Sequence, residues 1–212
     1  MKNIFITATN TDVGKTYTTI KLISAFAEKK IRPGVFKPIE TGVRNFPNDA
    51  SLLLFECQKV NPLFHTLNVK DICTYDFSLP AAPYVADKFQ KIKTEKILEN
   101  RQKLEKLCDI LLIEGAGGLM VPIKKEYFMI DLLKDLQAQP LLVTHDKLGC
   151  INDTLLSLNL LKNRGFSPQW CVNVREPDSF AKTTLPFYKE YFKEIFILDE
   201  DLPALLERLL NN

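Results

Sequence analysis

The sequence predicts an α/β protein in three layers, a mostly parallel central sheet with helices on both faces. Three observations predict it. Short, wholly apolar runs such as Ile110-Leu111-Leu112-Ile113 alternate with longer stretches of amphipathic spacing. Strands hidden on both faces belong to parallel sheets that helices cover. The chain has 212 residues, 46% hydrophobic and 25% charged, enough for one sizeable core, and a single domain is expected over residues 1–212. Finally, residues 4–20 join an apolar strand, a polar loop and a helix in one short unit.

The elements follow in order. Ile4, Phe5 and Ile6 read as a buried strand, and a helix with Ile20, Ile23, Phe26 and Ala27 on one face follows Gly14-Lys15-Thr16. Arg32-Pro33-Gly34 breaks that helix, Val35 to Lys37 is a short strand, and Thr41 to Asn45 is loop. Asn48 or Asp49 caps a helix entering at Leu52 to Phe55. Residues 61–83 form an irregular excursion containing Pro62, Pro80 and Pro83. Helices are expected over Ala82 to Lys91 and Thr94 to Leu107, then a strand Asp109 to Glu114 and a turn at Gly115-Ala116-Gly117-Gly118. The rest reads as helix Ile130 to Leu136, strand Pro140 to Thr144, helix Asn152 to Asn163 and strand Trp170 to Val174. Helix Phe180 to Tyr191, strand Ile195 to Leu198 and helix Leu202 to Leu210 complete the chain.

Ligands in such folds collect at the carboxyl ends of the strands. The first strand empties into Gly14-Lys15-Thr16, which makes the opening unit a phosphate-binding loop. Backbone N–H groups there form an anion nest at the positive end of the helix dipole. Lys15 can reach the β- and γ-phosphates, and the Thr16 hydroxyl can ligate Mg²⁺. The usual loop carries a glycine five residues before Gly14, where this chain has Thr9, preceded by Ala8. Glu114 ends its strand as the acid that holds or orients Mg²⁺, and the glycines after it let backbone approach a ligand. Lys37 reads equally as an edge lysine or as an ammonium facing the crevice. Asp49 reads equally as a helix cap or a metal ligand. Thr144 is the fourth strand end, with Lys147 to Asn152 as a loop near the crevice. Cys150 is expected as a small buried or interfacial residue and not a nucleophile.

The bulk numbers exclude several classes. A net charge of +2 offers no general affinity for polyanions, so nucleic acid is not an expected partner. No apolar run has membrane-spanning length, and residues 1–20 lack a secretory profile. Cys57, Cys73, Cys108, Cys150 and Cys171 are scattered, odd in number and without a Cys-x-x-Cys pair, as expected of reduced thiols in a cytoplasmic protein. His65 and His145, the only histidines, leave little material for His-based chemistry.

Thr-Asp-Val-Gly-Lys-Thr (11–16), Lys-Pro-Ile-Glu-Thr-Gly (37–42), Asn-Asp-Ala (48–50), Glu-Gly-Ala-Gly-Gly (114–118) and Lys-Leu-Gly-Cys-Ile-Asn (147–152) together resemble dethiobiotin synthetases. The order is the family's and the spacing nearly so, over residues 4–175. In that family the loop is one residue longer and its leading glycine falls at Ala8. The resemblance implies a P-loop NTPase-type fold and a reaction of 7,8-diaminononanoate, CO₂ (or bicarbonate) and MgATP to dethiobiotin, ADP and phosphate. By the same likeness Thr11, Lys15 and Lys37 are catalytic. ATP is implied at Asp12, Val13, Gly14, Lys15, Thr16 and Tyr17, and at Asp49, Glu114, Gly115, Ala116, Gly117 and Asn173. Mg²⁺ is implied at Thr16, Asp49 and Glu114. The diamine is implied at Thr41, Gly117, Gly118, Leu148, Cys150, Ile151 and Asn152, near the twofold of a homodimer. Three departures stand out, the first being that Val174-Arg175 follows Asn173 where the family commonly has an Asp. The segment that covers the base in the family is replaced by Ile197 to Pro203, which implies a looser hold on adenine. The family's substrate-contacting tyrosine matches Tyr188 only if a short insertion is allowed.

The rival of another class is a partitioning-type switch ATPase. Those proteins carry a second lysine four positions before Gly14, and Asn10 stands there. A glutamine-fed amidoligase would need a catalytic Cys/His pair, and none is evident. A nucleoside kinase would need a lid of arginines, but Arg32, Arg44, Arg101, Arg164, Arg175 and Arg208 are dispersed.

Overall fold

The computed structural model describes residues 2–211. In chain order the elements begin with β1 (Lys2–Ala8), α1 (Lys15–Glu28), β2 (Pro33–Phe36), β3 (Ile39–Thr41) and α2 (Asn48–Val60). A 3₁₀ turn at Pro62–Thr66 leads to α3 (Val69–Ile72), β4 (Tyr75–Phe77), α4 (Pro83–Ala86) and α5 (Thr94–Glu105). Then come β5 (Ile110–Gly118), β6 (Pro122–Lys124), β7 (Tyr127–Phe128), α6 (Met129–Asp135), β8 (Gln139–His145) and α7 (Cys150–Asn163). The chain closes with β9 (Gln169–Asn173), α8 (Pro177–Thr183), α9 (Leu185–Tyr191) and α10 (Leu202–Asn211).

The main sheet has five strands in the order β2-β5-β1-β8-β9, all paired in parallel. Its interior is the set of apolar runs legible in the sequence. Ile4, Phe5, Ile6, Leu111, Leu112, Ile113, Leu141, Leu142 and Val143 are all fully buried. Each such side chain contributes about 1.5–3 kcal/mol relative to exposure. No helix among the described residues is long and apolar enough to cross a membrane. The five thiols are free and buried. Burial pushes Cys73, Cys108 and Cys171 up to about 12, and pushes Cys57 upward too.

The structure departs from the sequence expectations in five places. β5 does not turn at Gly115 but runs on to Gly118, because the glycines serve close packing more than bending. A Cβ on Gly115 would meet the Phe5 ring at 2.9 Å, and one on Gly118 would meet the Ala8 carbonyl at 3.2 Å. The expected helix over 82–91 stops at Ala86. Asp87 then turns the chain by accepting hydrogen bonds from Lys91 N and Ile92 N, both at 2.8 Å. The helix expected over 180–191 is two, broken at Thr184, because Pro186 has no N–H to continue the ladder. Ile195 to Leu198 is no strand but a single parallel bridge, Val172 to Ile197. Finally, α7 begins at Cys150, two residues earlier than expected, with Gly149 at φ 97 before it. Two pairings carry no apolar signature and are additions to the expected plan: parallel β3–β4 and the β6–β7 hairpin.

Candidate active site

The carboxyl ends of β1, β2 and β5 meet at one edge of the sheet. Gly14 takes φ 113 at the end of the β1–α1 loop, and Asp12 before it takes φ 57. Gly14 is required on two counts, since a Cβ there would lie 2.1 Å from Asn173 Nδ2. Asn173, at the tip of β9, donates from Nδ2 to the Val13 carbonyl at 2.8 Å. The Lys15 ammonium is nearly buried and donates to the Asn10 carbonyl at 3.1 Å.

Glu114 is the hub. It is fully buried, yet both oxygens have partners. Oε1 accepts from Thr16 Oγ1 at 3.0 Å and Lys37 Nζ at 2.6 Å, and Oε2 accepts from Thr19 Oγ1 at 3.0 Å. Lys37 also donates to the Gly115 carbonyl at 3.1 Å and lies 3.5 Å from Asp49 Oδ2. With its side chain 3% exposed, Lys37 is a crevice residue and not an edge lysine. Asp49 sits in the first turn of α2, where the Glu40 carboxylate does the capping: it accepts from Asp49 N at 3.1 Å and Ala50 N at 2.9 Å. Asp49 is thereby left half-exposed and facing Lys37.

The two lysines feel opposite fields. Burial, and then the neighbouring Lys37 charge, lower Lys15 to about 8. Burial opposes the Lys37 charge as well, but Glu114 and Asp49 together outweigh it and hold the group above the ordinary lysine value. Burial raises the Glu40 carboxyl, against the two backbone N–H groups that favour its charge.

These side chains open on a cleft of about 300 Å³, lined by Thr11, Asp12, Gly14, Lys15, Thr16, Tyr17, Lys37, Glu40, Thr41, Asp49, Ala116, Gly117 and Arg175. A second cavity of about 320 Å³ adjoins it through Thr11, Thr41, Ala116 and Gly117, and is walled by Pro80, Ala81, Ala82, Pro83 and Val121. The first is polar and cationic at its floor. The second is mostly apolar.

The structure thus gathers most of the expected residues. Val13, Glu114, Gly115 and Asn173 stand beneath or behind the loop and not on the cleft wall, and Gly118 packs against β1. The segment 147–152 lines neither cavity. Leu148 is 99% exposed there, and Cys150 is buried with its thiol on Thr184 Oγ1 and its carbonyl accepting from the Tyr188 hydroxyl. Tyr188 itself is fully buried. Thr144 does not face the crevice either; its hydroxyl pairs with Thr154 at 2.6 Å. Ile197 to Pro203 reaches the rim through Asp199, which accepts from the Tyr17 hydroxyl at 2.8 Å and pairs with Lys21 at 2.9 Å. Sequence reading missed two cleft residues, Glu40 and Arg175. Glu40 lies inside the motif 37–42, but the cap of α2 is expected of Asn48 or Asp49, and in the structure neither side chain caps it. Arg175 is marked in the sequence only as a departure from the family's Asp after Asn173, with no local pattern that places it on the cleft.

A parallel sheet whose first strand feeds a Gly-Lys-Thr loop, backed by a buried strand-end acid, defines a P-loop nucleotide-binding protein. The family model described as an AAA domain, AAA_26, matches residues 2–182. The chain is 55% identical to the ATP-dependent dethiobiotin synthetase BioD of Sulfurovum sp. (strain NBC37-1), over 91% of this chain and 92% of that one. It is 42% identical to the protein of the same name from Wolinella succinogenes, over 100% and 99% of the two chains. The chain belongs to the dethiobiotin synthetase family. A crystal structure of a plasmid partition protein from Borrelia burgdorferi superposes with a TM-score of 0.60 at 12% identity, over 100% and 99% of the chains. At that identity the likeness is one of fold alone.

Proposed function

We propose that this chain makes dethiobiotin from 7,8-diaminononanoate, CO₂ and ATP, acting as an ATP-dependent cyclo-ligase. One substrate amine takes up CO₂ as a carbamate and releases a proton. A carbamate oxygen attacks the γ-phosphorus and ADP leaves, giving a carbamic–phosphoric anhydride. The second amine attacks the carbamate carbonyl, phosphate leaves, and the ureido ring closes with loss of a proton. The observation that carries this reading is the junction of the two cavities at Thr11, Thr41, Ala116 and Gly117. A cationic phosphate cleft meeting an apolar one suits a triphosphate set against an alkyl diamine.

The residue roles follow from charge. Negative charge spreads over the transferring phosphoryl group, and fixed cations in a dry site lower that barrier most. Lys15 and Lys37 supply them, and Thr11 stands between the cavities. Thr41 takes the carbamate side, and the loop from Asp12 to Tyr17 takes the phosphates. Glu114, Gly115, Ala116 and Gly117 close the floor, and Asn173 lies toward the base. The donors fit Mg²⁺: a hydroxyl at Thr16 and a half-exposed carboxylate at Asp49, with Glu114 hydrogen-bonded to Thr16. Mg²⁺ takes oxygen ligands and keeps several waters and phosphates, so few protein ligands suffice. When bound it neutralises charge on the β- and γ-phosphates.

Gly118, Leu148, Cys150, Ile151 and Asn152 serve the substrate, the last four from a partner subunit across a homodimer twofold. The exposure of Leu148 supports that arrangement. The five free, buried thiols support a cytoplasmic setting. One continuous five-stranded sheet supports a single domain, and with a net charge of +2 neither nucleic acid nor a membrane surface is taken as a partner. The test is ADP release by the purified protein with diaminononanoate and bicarbonate, each omitted in turn. Release should fall to background without either. ATP hydrolysis indifferent to both, as in a partitioning-type switch, overturns the reading.

A further inference from the structure

Two strand tips away from the phosphate loop, a chain of hydrogen bonds runs back to it. Asp146, 5% exposed and just beyond β8, accepts at Oδ2 from Arg175 N at 2.5 Å and from Glu176 N at 2.6 Å. That fixes the turn after β9. From the turn the Arg175 guanidinium reaches over the loop and donates from Nη2 to the Asp12 carbonyl at 2.8 Å. Asn173 beside it donates to the next carbonyl, Val13, at 2.8 Å.

The peptide group is planar and trans, so the carbonyl of one residue and the N–H of the next point in opposite directions. Holding the Asp12 and Val13 carbonyls toward the β9 turn therefore points the Val13 and Gly14 N–H groups the other way, into the phosphate cradle. Neither of these N–H groups meets a protein acceptor among the described residues. Asp12 needs the help, since a non-glycine residue at φ 57 is strained and persists only where its surroundings hold it.

We propose that Arg175, set by Asp146, is a positioning residue of the nucleotide site: it fixes the Asp12–Val13 peptide so that the loop amides face the phosphates before any ligand arrives. This rests on the reading that the loop binds a nucleoside triphosphate. The loss of Arg175 then weakens binding of every ligand that presents a polyphosphate, whatever base it carries.

The experiment measures dissociation constants for ATP and for inorganic tripolyphosphate on the wild type, Arg175→Ala, Arg175→Lys and Asp146→Ala. Arg175→Ala should weaken both ligands by the same factor, roughly 5- to 10-fold, the worth of one hydrogen bond. In turnover it should raise KM for ATP with kcat nearly unchanged. Arg175→Lys, which keeps one N–H within reach, should recover part of the loss. Asp146→Ala is decisive because it removes a negative charge. Simple electrostatics has it bind tripolyphosphate more tightly, whereas the clamp has it bind 3- to 10-fold more weakly. Tighter or unchanged binding by Asp146→Ala overturns the proposal. So does a loss in Arg175→Ala that affects ATP but spares tripolyphosphate, which makes the arginine a base or ribose contact. Failure of the wild type to bind either ligand overturns the nucleotide reading itself, and is seen before any variant is made.

Discussion

Lys15 and Lys37 share one cleft, and the free protein charges them differently. Lys15, lowered to about 8, is partly neutral at pH 8, whereas Lys37 stays charged. Between about pH 8 and the usual lysine value near 10.4, the unfolded chain binds a proton at Lys15 that the folded one has lost. Stability therefore gains with pH through that window, and the charged form costs stability below it. A bound triphosphate reverses this by restoring the Lys15 charge. ATP binding at pH 8 should accordingly take up a fraction of a proton, read by calorimetry in buffers of differing ionisation enthalpy, and the uptake should vanish near pH 6. For Lys37 the prediction is kinetic. Its ammonium acts chiefly on charge that develops during transfer, so Lys37→Ala should lower kcat by about 10²- to 10³-fold while KM for ATP moves less than about threefold. An unchanged kcat would place Lys37 outside the chemistry. The variant should also melt early, since it strands the buried Glu114 carboxylate, a loss of about 3 kcal/mol.

At the scale of elements, α2 is set by a residue it does not contain. Its own cap, Pro47, offers no side-chain hydrogen bond, and Glu40 on β3 serves the Asp49 and Ala50 N–H groups of the first turn instead. Glu40→Ala should cost about 1–2 kcal/mol, as other lost caps do, and lower the melting temperature by about 3–6 °C. By loosening the seat of Asp49 it should also raise the Mg²⁺ needed for half-maximal rate. This contact shows why the sequence is legible only in part. The sheet strands could be read because burial on both faces writes an unbroken apolar run, as in Ile110 to Ile113. The loop could be read because Gly14, Lys15 and Thr16 lie side by side. β3 and β4 are three residues each, too short for any periodicity to mark them. Arg175 meets Asp12 across 163 residues, Lys37 meets Glu114 across 77, and such meetings belong to the sheet order and to no local pattern.

On the scale of the molecule, one chain presents a nucleotide cleft and an apolar annex, but keeps Leu148 to Asn152 away from both. Leu148 at the entry to α7 and Leu156 on its surface are exposed apolar side chains that a twofold would cover. Leu148→Asp with Leu156→Asp should lower the mass in solution to that of one chain. It should raise KM for the diamine at least about tenfold and leave KM for ATP alone. A monomer with an unchanged KM for the diamine would remove the partner from the site. Unchanged mass would remove these two leucines from the proposed twofold.

The sequestered sulfurs have a consequence of another kind. Cys57 lies in α2, Cys73 after α3, Cys108 ahead of β5, Cys150 at the start of α7 and Cys171 in β9, and none reaches the surface. With all five buried, and burial holding the protons of Cys57, Cys73, Cys108 and Cys171 well above neutral pH, the native chain offers a chromogenic disulfide next to nothing to attack. Colour develops only as fast as the structure breathes, so the protein carries a built-in clock of its own opening, with hands in the helical layer and in the sheet.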